Sequence, residues 1–125
     1  MRIHNKDLLE ATGPIDMDAD FTLQPIYLGH IAQYAIQLFF SATPDGTFTL
    51  ECSNDPGHPN AAKKEEQYED VDHWTTIAGS ASIVSADGDI TWNAENVGYL
   101  WVRVKWVANA AGGSLDSAKI NVKGV

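Results

Sequence analysis

A single cysteine, Cys52, serves a chain of 125 residues. That excludes an internal disulfide and any multi-cysteine zinc site, so the core must hold by burial alone. Cations are also scarce: 8 lysines and arginines stand against 17 carboxylates, for a formal net charge of −9. Phosphate backbones demand clustered cations, and this balance argues against a nucleic-acid partner. No apolar run is long enough to span a membrane, and the start MRIHNKDLLEATGPIDMDADF lacks a positively charged segment followed by an apolar one. Neither a signal peptide nor an anchor is expected, nor a membrane partner, and synthesis in a cytoplasm is.

The grammar of catalysis is missing as well. GxSxG, a glycine-rich phosphate loop and HExxH do not occur, and His4, His30, His58 and His73 are scattered without a second histidine or cysteine at ligand spacing. Cys52 has no polarising partner in the sequence and falls on the apolar side of its strand. The expectation is a protein that is not an enzyme and carries no cofactor or metal.

What is present is β-sheet pattern. Hydrophobic residues make up 44% and aromatics 10%, enough for one folded domain. Residues 1 to 19 read as an extended N-terminal arm, with a Gly13-Pro14 breaker and at most one helical turn around Leu8, Leu9 and Ala11. Residues 20 to 125 read as a single β-sandwich domain. Tyr34, Ile36, Leu38 and Phe40 share one face, and Phe48, Leu50 and Cys52 share another. Pro44-Asp45-Gly46 between them predicts a hairpin, and the ADGD turn at 86 to 89 predicts a second. A surface insert occupies 53 to 73, its second half compatible with two helical turns. Leu115 breaks the alternation of Ala118, Ile120 and Val122 and marks a bulge. Strands every eight to twelve residues and no covering helix predict an all-β fold, an antiparallel sandwich or jelly roll of about seven or eight strands.

Two acidic runs invite a cation. Asp16, Asp18 and Asp20 resemble the start of a calcium loop, but Phe21 stands where that loop needs glycine and Tyr27 where it needs glutamate. A solvated acidic arm is the preferred reading. Glu65, Glu66, Glu69, Asp70 and Asp72 follow Lys63 and Lys64, so local charge pairing accounts for much of that run.

Four phrases form a group: LECSND (50 to 55), WTTIAGS (74 to 80), TWNAENVGYLWVRVKW (91 to 106) and GGSLDSAKINVKG (112 to 124). Together they resemble a family of small β-sandwich virion structural proteins of tailed bacteriophages. In that family a short SND strand end, a "W..I.GS" strand, a "GY..VRV.W" strand and a terminal KG recur. The resemblance covers the last two thirds of the chain and leaves the arm and the insert outside it. It implies a virion protein that decorates or stabilises the capsid or forms part of the tail or fibre through subunit contacts. Homo-oligomers and other virion proteins are the implied partners; no site residue carries over.

The aromatic residues supply the candidate surface. Along 98 to 109, parity places Leu100, Val102, Val104 and Trp106 inward, and Tyr99, Trp101, Arg103 and Lys105 outward. Trp74 and Trp92 are assigned to the core. The outward four are therefore expected to form a subunit interface or ligand surface, with Tyr99 and Trp101 as its exposed rings. The alternative function is a carbohydrate-binding module for host glycans, in which those rings would stack on sugars.

Overall fold

The computed structural model describes residues 3–9, 13–29, 31–55, 71–95 and 97–124. All regular elements among them are strands: β1 (Ile3–Asp7), β2 (Ile15–Asp16), β3 (Phe21–Thr22), β4 (Ile26–Tyr27), β5 (Ile31–Ser41), β6 (Gly46–Ser53), β7 (Thr75–Thr76), β8 (Ser82–Val84), β9 (Gly88–Glu95), β10 (Trp101–Ala108) and β11 (Ser114–Gly124). Every pairing is antiparallel. Two sheets result. Sheet A has the order β1-β11-β5-β9 with β2 also on β11, and sheet B the order β3-β10-β6-β7 with β4 on β10 and β8 on β6. The fold is the expected all-β sandwich. The count exceeds seven or eight because residues 3 to 27 add four short strands to the sheet edges.

The described part of the first nineteen residues lies on the chain's own sheet, with a turn at Leu8 and Leu9. β1 runs beside β11 from Ile3↔Lys123 to Asp7↔Lys119, and Ile15 and Asp16 oppose Leu115 and Ser114. Leu9 and Met17 are buried in the core. The helical turns expected in the insert, its acidic run from Glu65 to Asp70, and His30 and His58 lie outside the described residues.

Between the sheets sits one apolar cluster. Tyr34, Ile36, Leu38 and Phe40 from β5 meet Phe48 and Leu50 from β6 and Val102, Val104 and Trp106 from β10. The Phe48 ring lies 5.9 Å from Phe40, 6.3 Å from Trp92 and 4.5 Å from Trp106, centroid to centroid. The inward parity of β5 and β10 is therefore as expected.

Both expected hairpins are absent. β5 belongs to sheet A and β6 to sheet B, so the chain crosses between layers at 42–45; β8 and β9 likewise lie in different sheets, as do β10 and β11. Each turn is an arch that lays one strand over the next. Period two cannot distinguish an arch from a hairpin, because in both cases alternate side chains point to one side. Local backbone makes the first arch. Ala42 and Thr43 adopt consecutive left-handed conformations, φ 63° and 56°, and the Asp87 carboxylate accepts the Thr43 N–H at 2.8 Å. In the last arch Gly113, φ 103°, packs against Pro44; a Cβ there would come within 2.6 Å of the proline's own Cβ. Only glycine fits that position.

The bulge is where Leu115 predicted it. Register shifts between Leu115 and Ser117, leaving Asp116 unpaired on β11. Its carboxylate accepts the Ser41 hydroxyl at 2.5 Å and the Ser114 hydroxyl at 2.8 Å, and these two bonds hold it below the usual carboxylate range.

Candidate functional site

The outer face of sheet B carries the residues singled out in the sequence, and it divides them. β10 begins at Trp101, so Tyr99 lies in the preceding loop and escapes the strand's parity. It packs against the core instead. The hydroxyls of Tyr34 and Tyr99 are 2.6 Å apart, with the rings edge to face at 6.4 Å. Burial raises both phenols above their ordinary range, and for Tyr34 the bond to Tyr99 adds to the rise.

Trp101 does lie on the outer face but is fully buried, edge-on to Tyr27 at 5.2 Å. Its indole N–H has no hydrogen-bond partner among the described residues. The expectation of an exposed Tyr99–Trp101 pair is therefore corrected: one ring turns into the core and the other is covered where it stands. An outer sheet face can be covered by chain, and alternation alone does not register that.

Arg103 and Lys105 are outward, as expected, and both face Glu51. Register places Arg103 opposite Glu51, with Arg103 Nε at 2.7 Å from one carboxylate oxygen and Lys105 Nζ at 4.0 Å from the other. Glu51 is only 7% exposed. A buried carboxylate needs such partners, since desolvation would otherwise disfavour its charge. The Arg103 guanidinium also lies 4.1 Å above the Trp74 ring. Trp74 thus belongs to this outer cluster rather than to the core, which corrects its assignment. Trp92 does pack on the core, and its indole N–H donates to the Ser80 carbonyl at 2.9 Å.

The recurring phrases have structural roles here. Asn54 accepts the Leu100 N–H at 3.1 Å and Asp55 the Asp72 N–H at 3.0 Å, so SND ties the two ends of the insert together and to the start of β10. In WTTIAGS the buried Ser80 hydroxyl accepts the Leu50 N–H at 3.1 Å and donates to the Ile77 carbonyl at 2.6 Å. The acidic triplet is similarly employed. Asp18 accepts the Gly112 N–H at 2.6 Å and Asp20 the Ala108 N–H at 2.8 Å, pinning the last arch from across the chain. Cys52 is half-buried opposite Val102, and burial pushes its thiol up, away from nucleophilic character.

Two residues that parity overlooked finish the face. Thr47 on β6 opposes both Val107 and Ile83, and these two apolar side chains are 42% and 84% exposed. They flank Thr47 in one row across the sheet, Val107 being two residues beyond Lys105 on the same face of β10. The available signal was Val107 continuing the outward series after Lys105. Ile83 gave none, because a three-residue strand has no period to read.

No protein-family profile matches the chain, and no curated protein matches it. Among solved structures the fold is similar to the SPBc2 prophage-derived protein YomS, with a TM-score of 0.53 and 15% identity over 97% of this chain and 92% of that one. A structure of Bacillus endospore appendages, a family of disulfide-linked pili, gives 0.51 and 8% over 98% and 88%. The Tobacco streak virus coat protein gives 0.47 and 12% over 99% and 87%. At such identities the first two likenesses establish a shared sandwich fold.

Proposed function

We propose that this chain is a non-enzymatic structural protein of a bacteriophage virion, one that decorates or stabilises the capsid or forms part of the tail or fibre through subunit contacts. The observation that carries this reading is the outer face of sheet B. It has a rigid base, the Glu51, Arg103 and Trp74 cluster, and on the same face the exposed Ile83 and Val107. Exposed aliphatic side chains on either side of Thr47, on a hydrogen-bonded sheet, suit contact with another protein surface.

Two further points support it. The four sequence phrases resemble tailed-phage sandwich proteins, and a prophage-derived protein has this fold over nearly its whole length. Partners are then further copies of the chain and neighbouring virion proteins, and the location is the virion, after synthesis in the host cytoplasm. Lys105, two residues before Val107 on the same face, is the member of the expected interface set that stays available to a neighbour.

The test is particle composition. Mass spectrometry of purified particles should find the chain in stoichiometric amount, and Ile83→Asp should lower its incorporation at least tenfold. Absence of the wild-type chain from particles sinks the proposal. The carbohydrate-binding alternative loses the exposed pair on which the sequence placed it, since Trp101 is fully buried and Tyr99 is partly buried against the core.

A further inference from the structure

The outer face of sheet A is of another kind. Register aligns Asn5, Asn121, Ala35 and Asn93 in one row across its four main strands, and Asp7, Lys119, Gln37 and Thr91 in the next. Ala35, the smallest side chain in either row, lies on a central strand and leaves a dip. Above it opens a trough of about 600 Å³ walled by Asn5, Asn121, Gln37 and Thr91, and a second hollow of about 290 Å³ continues over the same alanine toward Gln33 and Asn93. With strands about 4.8 Å apart, each row spans roughly 14 Å.

We infer that this trough binds a saccharide chain. Three observations carry the assignment. First, amides from all four main strands, Asn5, Asn121, Gln37 and Asn93, line it among charged side chains, and each offers a donor and an acceptor together, as vicinal sugar hydroxyls require. Second, those groups are uncommitted: Asn5, Asn93, Asn121 and Lys119 make no side-chain hydrogen bond to any described residue, and the one tie is Gln37 to Asp89 at 3.3 Å. Third, an exposed apolar ring shares this face of β5, beyond the residues that line the two hollows. Phe39, two residues beyond Gln37 on the same face, is 44% exposed, and it can take the C–H face of a sugar ring.

Charge narrows the class. Lys119 and Lys123 on this face are balanced by Asp7, Asp89 and Glu95. A face of mixed sign provides no field for a polyanion and suits a polyhydroxylated chain of low charge density. The two rows sit on paired strands, so the side chains rise from a rigid base. The inference rests on sheet A alone and is independent of the assembly proposal, which rests on sheet B.

The experiment is a glycan array of neutral and acidic oligosaccharides probed with the labelled full chain, followed by calorimetric titration of the strongest oligosaccharide on it. Selective binding is expected. Ala35→Trp, which fills the floor from an outward position, should weaken it at least a hundredfold, and Asn121→Ala and Gln37→Ala about fivefold each. Ile83→Asp should leave it unchanged while lowering particle incorporation. No binding across the array overturns the inference, as does wild-type affinity in a folded Ala35→Trp chain. A change in oligomeric mass on Ala35→Trp, measured by light scattering, also overturns it, because it would make this face a subunit contact.

Discussion

The outer faces of the two sheets are built from similar residue types and use them in opposite ways. On sheet B the charged and aromatic side chains engage one another: Glu51 receives Arg103 and Lys105, and Arg103 covers Trp74. On sheet A, Lys119 and Asn121 on β11 and Asn93 on β9, either side of β5, have no side-chain partner among the described residues. The difference shows that a polar outer residue says little by itself. One that bonds to a group across the ladder belongs to the scaffold, while one that register merely sets beside a neighbour, as Lys119 beside Asp7, does not.

Substitutions can break or sharpen this contrast. The largest effect is expected at Trp101, fully buried on a face that alternation labels exposed. Trp101→Ala should destabilise by about 3–5 kcal/mol in denaturant titration, the usual range for deleting a buried aromatic. A loss under about 1 kcal/mol would mean that the ring is a surface feature after all. Glu51→Ala comes next. It leaves Arg103 and Lys105 facing each other over a partly dry site, and because Arg103 keeps some solvent the cost is set at about 2–3 kcal/mol, below the full range for a broken buried pair.

Tyr34→Phe removes one hydroxyl of the 2.6 Å pair and should cost about 1 kcal/mol. It also predicts a pH effect. Burial raises the Tyr34 phenol above its ordinary value of 10.0, so the unfolded chain releases this proton more readily than the folded one. Stability from this group is complete below pH 10 and falls as the pH rises past that unfolded value. Melting temperatures of the wild type should therefore drop above pH 10, and less steeply in Tyr34→Phe; parallel curves would contradict the buried pair. The smallest effect belongs to sheet A, where Lys119→Ala and Asn121→Ala should each stay within about 0.5 kcal/mol of wild type. A larger loss from either would make the trough structural.

Much of the fold can be read from the sequence, and the limits are physical. Alternation in 34–40 and 102–106 identifies the inner faces, and the break at Leu115 locates the bulge, because both are local properties of a pleated strand. Layer assignment is not local. Pro44-Asp45-Gly46 signals a reversal, but whether the next strand pairs with β5 or lies over it depends on Ala42, Thr43 and an Asp87 more than forty residues away. Asp18 and Asp20 look like ligands until their partners appear, and those partners are backbone amides some ninety residues along the chain. Of the four candidate surface residues, parity placed Trp101, Arg103 and Lys105 on the correct face. It failed for Tyr99 because the strand starts two residues later. The amide trough gave no sequence signal, since its members come from four separate strands.

The proposal that sheet B presents an assembly surface is tested most directly by one comparison: the amount of this chain in purified particles carrying the wild type and in particles carrying Ile83→Asp. The account predicts stoichiometric wild-type incorporation and at least a tenfold loss in the variant, with the isolated variant folded and equally stable. Equal incorporation of both would contradict it.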